Sequence, residues 1–168
     1  MNPAARIRLF EDADVVALRR LICETIDFSY APVYPPRALD FFKAFHAEEK
    51  VRERAQRGTV LVAEANDALI ATGSLLDGEI FAVFVHPGRQ GEGLGKALME
   101  RLEADARTAG VTESVLSVSL PSKRFYEGLG YEIVEERSRD LGEGQCLNFW
   151  KAKKRLVALI ESSPRSEE

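Results

Sequence analysis

The chain has 168 residues, 45% of them apolar, enough to build one core of ordinary domain size. A formal charge of -4 excludes the broad Lys/Arg excess that a nucleic-acid-binding face needs. No apolar run reaches the roughly 18 residues of a membrane span, and Met1 to Arg8 lacks the basic-then-apolar order of a secretory leader. One domain over residues 1–168, soluble and cytoplasmic, is therefore expected, with 162–168 as a polar tail.

In chain order, Ile7 to Phe10 alternates as a strand, and Glu11 to Asp14 places acids where a helix begins. Val15, Leu18, Ile22 and Ile26 then form one helical stripe expected to run to about Ile26. The three prolines between Tyr30 and Pro36 predict an ordered loop. A second helical region carries Leu39, Phe42 and Phe45 on one face. It continues through a charged Glu48 to Arg57, read as a solvated face, and stops at Gly58. Thr59 to Glu64, Leu69 to Leu75 and Glu79 to Val85 read as three strands of a meander, separated by turn residues. Leu94, Leu98, Leu102, Ala106 and Ala109 recur at helical spacing up to Gly110. Ser114 to Ser119 is a strand, Pro121 to Leu129 a short helix, and Tyr131 to Glu136 and Cys146 to Lys151 are two last strands. Lys153 to Ile160 is expected as a terminal helix. This order predicts an α+β fold, a mixed central sheet of about seven strands flanked by about four to five helices.

Few side chains qualify for metal or nucleophilic chemistry. Cys23 and Cys146 lack CxxC spacing and are expected as buried small hydrophobes. His46 and His86 have no cysteine nearby, so no metal site or triad is expected.

The informative segment is Gln90-Gly91-Glu92-Gly93-Leu94-Gly95, set between the strand ending at His86-Pro87 and a long amphipathic helix. Glycines there let a ligand approach the backbone, and the free amides of a helix's first turn favour an anion. The segment reads as a phosphate cradle or as an ordinary glycine-rich turn. The dinucleotide fingerprint fails because Lys96 occupies its third glycine position, and the Walker A pattern fails at Gln90 and Ala97.

Gln90, Gly93 and Gly95, with the later Ser119 to Tyr131 segment containing Phe125-Tyr126 and Gly130-Tyr131, resemble the GNAT acetyltransferase superfamily. The resemblance implies an N-acetyltransferase that moves acetyl from acetyl-CoA to a primary amine by direct attack in a ternary complex. A catalytically weak acyl-CoA-binding or regulatory module on the same fold is the alternative. It implies that Val83, Phe84 and Val85 align the pantetheine arm, and that Gln90, Gly91, Glu92, Gly93, Leu94, Gly95 and Lys96 hold the pyrophosphate. Arg89 is a further charge beside that cradle. Many members carry Asn where this chain has Ser119, which can still donate one hydrogen bond or cap a helix. Tyr126 is placed by the thioester sulfur, against a plain core role, and Glu79 matches an acidic position used as a base, against a solvated turn carboxylate. Phe28, Tyr30 and Tyr34 are candidates for an acceptor pocket. The acceptor is a small molecule or a peptide amine, and no metal, nucleic acid or membrane is implied. Homodimerisation follows family habit, with Leu156 to Ile160 as an apolar contact.

Overall fold

The alternating stretches form seven strands and the periodic ones five α-helices in the computed structural model, which describes residues 4–157. The strands are β1 (Arg6–Leu9), β2 (Thr59–Ala65), β3 (Ala68–Leu76), β4 (Glu79–Val85), β5 (Glu113–Ser119), β6 (Glu132–Asp140) and β7 (Cys146–Arg155). The helices are α1 (Val15–Thr25), α2 (Pro36–Phe45), α3 (Glu48–Arg57), α4 (Leu94–Thr108) and α5 (Lys123–Gly128). They form one ladder in the order β1-β2-β3-β4 and another in the order β5-β7-β6, every pair antiparallel. β4 and β5 are the facing edges, in contact but without a shared ladder.

Strand periodicity explains why helices cover both faces. Successive β2 side chains point to opposite sides, and all of them from Val60 to Ala63 are buried. Leu61 and Ala63 join the cluster under α4, with Leu98, Met99, Leu102 and Ala106, and this cluster extends to Leu116, Val118 and Ala152 of the second ladder. Val60 and Val62 join the opposite cluster, under Leu18, Ile22 and Ile26 of the first helix and Val51 of α3. Each such buried aliphatic side chain contributes about 1.5–3 kcal/mol. The α4 helix comes so close to β3 that a Cβ on Gly73 would lie 2.8 Å from a Leu102 methyl.

One buried polar network ties α4 to the second ladder. The Tyr131 hydroxyl donates to Glu103 at 3.1 Å, and Lys154 Nζ reaches both Glu103 oxygens at 2.9 and 3.1 Å. Glu103 is only 4% exposed, so its charge is held by these partners.

Several expectations are corrected. The first helix does not stop near Ile26 but runs on as a π-turn over Ile26–Tyr30, because bulky apolar side chains extend its buried face. The second helical region breaks at His46-Ala47 into α2 and α3. The face of α3 is not wholly solvated, since Val51 and Arg54 are buried. The last two strands are longer than their apolar content suggested: β6, an edge strand, is charged and exposed for most of its length, a pattern that carries no alternation. Lys153 to Arg155 continue β7 instead of opening a terminal helix, pairing with Val115, Ser114 and Glu113. The rest of that expected helix beyond Val157, and the 162–168 tail, lie outside the described residues. Cys146 is exposed at the start of β7 and Cys23 is half-buried, so neither is the fully buried hydrophobe expected.

Replacing Glu103 by Gln should cost about 1–3 kcal/mol, because Lys154 loses its buried counter-charge. Urea unfolding of Glu103→Gln, Lys154→Met and the double variant should give a coupling energy above about 0.5 kcal/mol. Additive effects would mean that the pair does not join helix to sheet.

Candidate active site

The site begins with an irregularity in β4. Ser74 pairs with Phe81 and Thr72 with Phe84, so Ala82 and Val83 bulge opposite Gly73. Ala82 sits at φ +54°, a left-handed conformation that costs a non-glycine residue about 1–3 kcal/mol. The bulge lies in the strand whose other edge carries no ladder, and two hollows flank it.

The first is a groove of about 430 Å³. Val83, Phe84, Val85, Gln90, Gly91, Gly93, Leu94, Gly95 and Lys96 all line it, as does Arg89. Gly91 and Gly93 sit at φ +82° and +84°, with nothing within 4 Å of an added Cβ, so glycine is needed here for backbone conformation. Gly93 caps α4 without any side-chain hydrogen bond, leaving first-turn amides to point outward. Gly95 answers a different demand, because a Cβ there would lie 2.9 Å from the Phe125 ring. Gln90 Nε2 donates to the Val85 carbonyl at 3.1 Å and ties loop to strand. Glu92 does not line the groove; it accepts from Arg89 Nε at 2.6 Å. Lys96 projects at the edge, 4.0 Å from Glu100. His86 serves the turn, its Nδ1 accepting from the Gly88 amide at 3.0 Å.

The second hollow is a cavity of about 760 Å³ between β4, α2 and β6. Ser119 and Tyr126 line it, not the groove. The Ser119 and Ser122 hydroxyls lie 2.7 Å apart, with the buried Tyr30 beside them. Tyr30, Val83, Phe84 and Ser122 line both hollows, which are therefore adjacent. Tyr126 is buried, edge-on to Phe125 and Tyr131. Burial, reinforced by the neighbouring Tyr30 and Tyr131, raises its pKa well above that of a free tyrosine.

The cavity wall is aromatic. Phe41 and Phe45 stack at 6.4 Å, and the Arg54 guanidinium lies 5.1 Å from the Phe45 ring centre and 4.9 Å from that of Phe81. Arg54 also donates to the Phe45 carbonyl at 2.6 Å and stands 2.9 Å from His46 Nδ1. As a guanidinium only donates, that nitrogen accepts, and the imidazole proton lies on Nε2. Burial first, then the Arg54 charge, holds His46 at about 3, and burial brings Arg54 down to about 10.

Of the remaining candidates, Tyr34 accepts from the Leu120 amide at 2.9 Å and donates to the Asn148 carbonyl at 2.7 Å, a structural bridge outside both hollows. Phe28 is 66% exposed and lines neither. Glu79 also lies outside both; Lys151 Nζ is 3.9 Å from its carboxylate and donates at 2.8 Å to Ser117, which lines the cavity. The α2 wall and the β6 charges were not singled out from the sequence. Among the described residues no cluster of three or more metal-ligating side chains occurs, and no helix is long and apolar enough to cross a membrane.

The family model described as an acetyltransferase (GNAT) domain matches residues 30–142. The chain belongs to the GNAT acetyltransferase family. Serotonin N-acetyltransferase 2 of Oryza sativa subsp. japonica is 30% identical over 62% of this chain and 50% of its own length. An L-methionine sulfoximine/L-methionine sulfone acetyltransferase of Salmonella typhimurium is 32% identical over 46% of this chain and 52% of its own. The chain thus spans about half the length of these curated relatives. A GCN5-related N-acetyltransferase from Rhodopseudomonas palustris superposes with a TM-score of 0.81 at 22% identity, covering 93% of this chain and 97% of the other. The PaiA N-acetyltransferase of Thermoplasma acidophilum, solved with coenzyme A, gives 0.75 at 19% identity over 90% and 99%. At these identities the superpositions establish the GNAT fold.

Because His46 is held neutral, its contribution is complete above pH 6.5, its ordinary value, and declines as pH falls from there toward 3. The wild-type protein should lose about 2 kcal/mol between pH 7 and pH 5 from this group, and His46→Gln should show a shallower decline. Urea midpoints at both pH values measure it; equal slopes would remove His46 as the acid-sensitive group.

Proposed function

We propose that the chain is an N-acetyltransferase that moves acetyl from acetyl-CoA to a primary amine by direct attack in a ternary complex. The observation that carries this reading is the adjacency of the two hollows: a backbone-lined groove ending at an uncapped helix start shares Tyr30, Val83, Phe84 and Ser122 with a Tyr126-lined cavity. The groove suits acetyl-CoA. Its left-handed glycines and the α4 amides would hold the pyrophosphate, and the free edge of β4 would pair with the pantetheine amides as an added strand would. Ser119 would hydrogen-bond near the inner end of that arm. Relatives named for acetylation, one of them explicitly N-acetylation, support the donor and the bond formed.

The amine must be neutral to attack, and an amine of pKa near 10 is about one part in a thousand neutral at pH 7. Its lone pair bonds to the thioester carbonyl carbon, the carbon–sulfur bond breaks, and sulfur leaves with the electron pair. The nitrogen's surplus proton passes to water. Glu79, joined to the cavity through Lys151 and Ser117, is the proposed final acceptor of that proton. Tyr126 stabilises the departing sulfur by donating a hydrogen bond. Since its pKa is raised and a thiol's is near 8.5, the hydroxyl keeps its proton.

Gly93→Ala should weaken acetyl-CoA binding by roughly tenfold, because alanine resists the left-handed conformation at the helix start. Calorimetric titration tests this, and wild-type affinity in a folded variant would remove the cradle.

Tyr126→Phe should lower kcat by about ten to a thousandfold while leaving acetyl-CoA affinity near wild type. Glu79→Gln should depress turnover most near neutral pH and recover as pH rises, because more amine arrives deprotonated. Single-turnover acetyl transfer across pH separates them. Wild-type rates for Tyr126→Phe would leave it a packing residue.

A further inference from the structure

One charge in the aromatic cavity has no ion-pair partner among the described residues. Arg139 lines the cavity opposite Leu147, on the face of the second ladder that packs with α2, whereas Glu136 stands opposite Trp150 on the other face. Arg137 and Glu135, on the Arg139 face, bind each other at 3.0 Å. The Arg139 guanidinium lies 4.7 Å from the centre of the Phe41 ring, which orients its donor edge while leaving it without a carboxylate. Phe41 begins the wall that runs through Phe45 to Phe81.

Resting on the acetyl-transfer reading above, we propose that the acceptor is a zwitterionic aromatic amino acid. Its ring packs on this wall and its carboxylate takes the bidentate donors of Arg139. A polyamine offers Arg139 nothing and brings a second cation against it. An arylalkylamine fills the wall but leaves that guanidinium unmatched. A peptide N-terminus lacks a carboxylate beside its amine. In the step itself the ammonium first gives one proton to water, the neutral nitrogen then gains the acetyl carbon, CoA leaves as the thiolate, and the nitrogen's surplus proton goes to water.

Matched acceptors test the proposal: phenylalanine against phenethylamine and against phenylalaninamide, tryptophan against tryptamine, with spermidine as the polyamine. CoA release should favour each amino acid by at least about tenfold in kcat/KM. Arg139→Gln, on an exposed strand where folding is not at stake, should bring the phenylalanine to phenethylamine ratio close to one through KM. Equal use of the decarboxylated partners, or preference for spermidine, overturns the proposal while leaving acetyl transfer standing. Calorimetry of phenylalanine on CoA-loaded protein separates the remaining outcomes. Binding weakened by Arg139→Gln, with no CoA release from any amine, sinks the transfer reading and upholds the ligand class. Absence of both binding and turnover overturns the proposal.

Discussion

The whole arrangement depends on β4 having a strand partner on one side only. Its other edge faces β5 without a ladder, so a row of backbone donors and acceptors is left at the centre of the molecule, where unpaired polar groups are costly. Most proteins bury or charge such an edge. Here the bulge at Ala82 and Val83 bends it away, and the hydroxyls of Tyr30, Ser119 and Ser122 supply polar groups beside it. The edge therefore stays open to a ligand with amides of its own.

Holding that opening requires strong packing elsewhere. The α4 helix spans both ladders, with Leu98 and Leu102 fully buried, and Glu103 anchors it to Tyr131 and Lys154. On the other face Arg54 is a buried cation. Ring faces, one carbonyl and a neutral imidazole stabilise it in place of a carboxylate. A buried carboxylate there would have formed a closed ion pair. The chosen partners instead keep Phe45 and Phe81 oriented toward the cavity.

Legibility in the sequence follows how local each cause is. The groove's position was readable because strand end, glycine loop and helix start are consecutive, from Val83 to Lys96. Gly95 shows the limit: its place in the motif was plain, but the reason for it lies in Phe125, on another helix. Strand and helix types were readable from periodicity. The π-turn to Tyr30 and the break at His46 were not, because tertiary contacts decide both. The cavity was least legible. Phe41 on α2, Phe81 on β4 and Arg139 on β6 meet only after the two ladders are set side by side, and a charged β6 without alternation reads as plain surface.

Charge is distributed along the path in a way that bears on the chemistry. Arg89 and Lys96 stand at the groove end, and Glu135, Arg137 and Arg139 stand at the cavity rim. The residues shared by both hollows, Tyr30, Val83, Phe84 and Ser122, are uncharged, and burial raises the pKa of Tyr30 as it does that of Tyr126. A neutral junction is suited to a thioester that begins neutral and develops charge only as sulfur departs, since a fixed ion there would bind the ground state equally. None of those junction groups changes protonation near neutral pH. On the proposed transfer reading, the ionisations that control the reaction around pH 7 would be left to the acceptor's own amine and to the group that receives its proton.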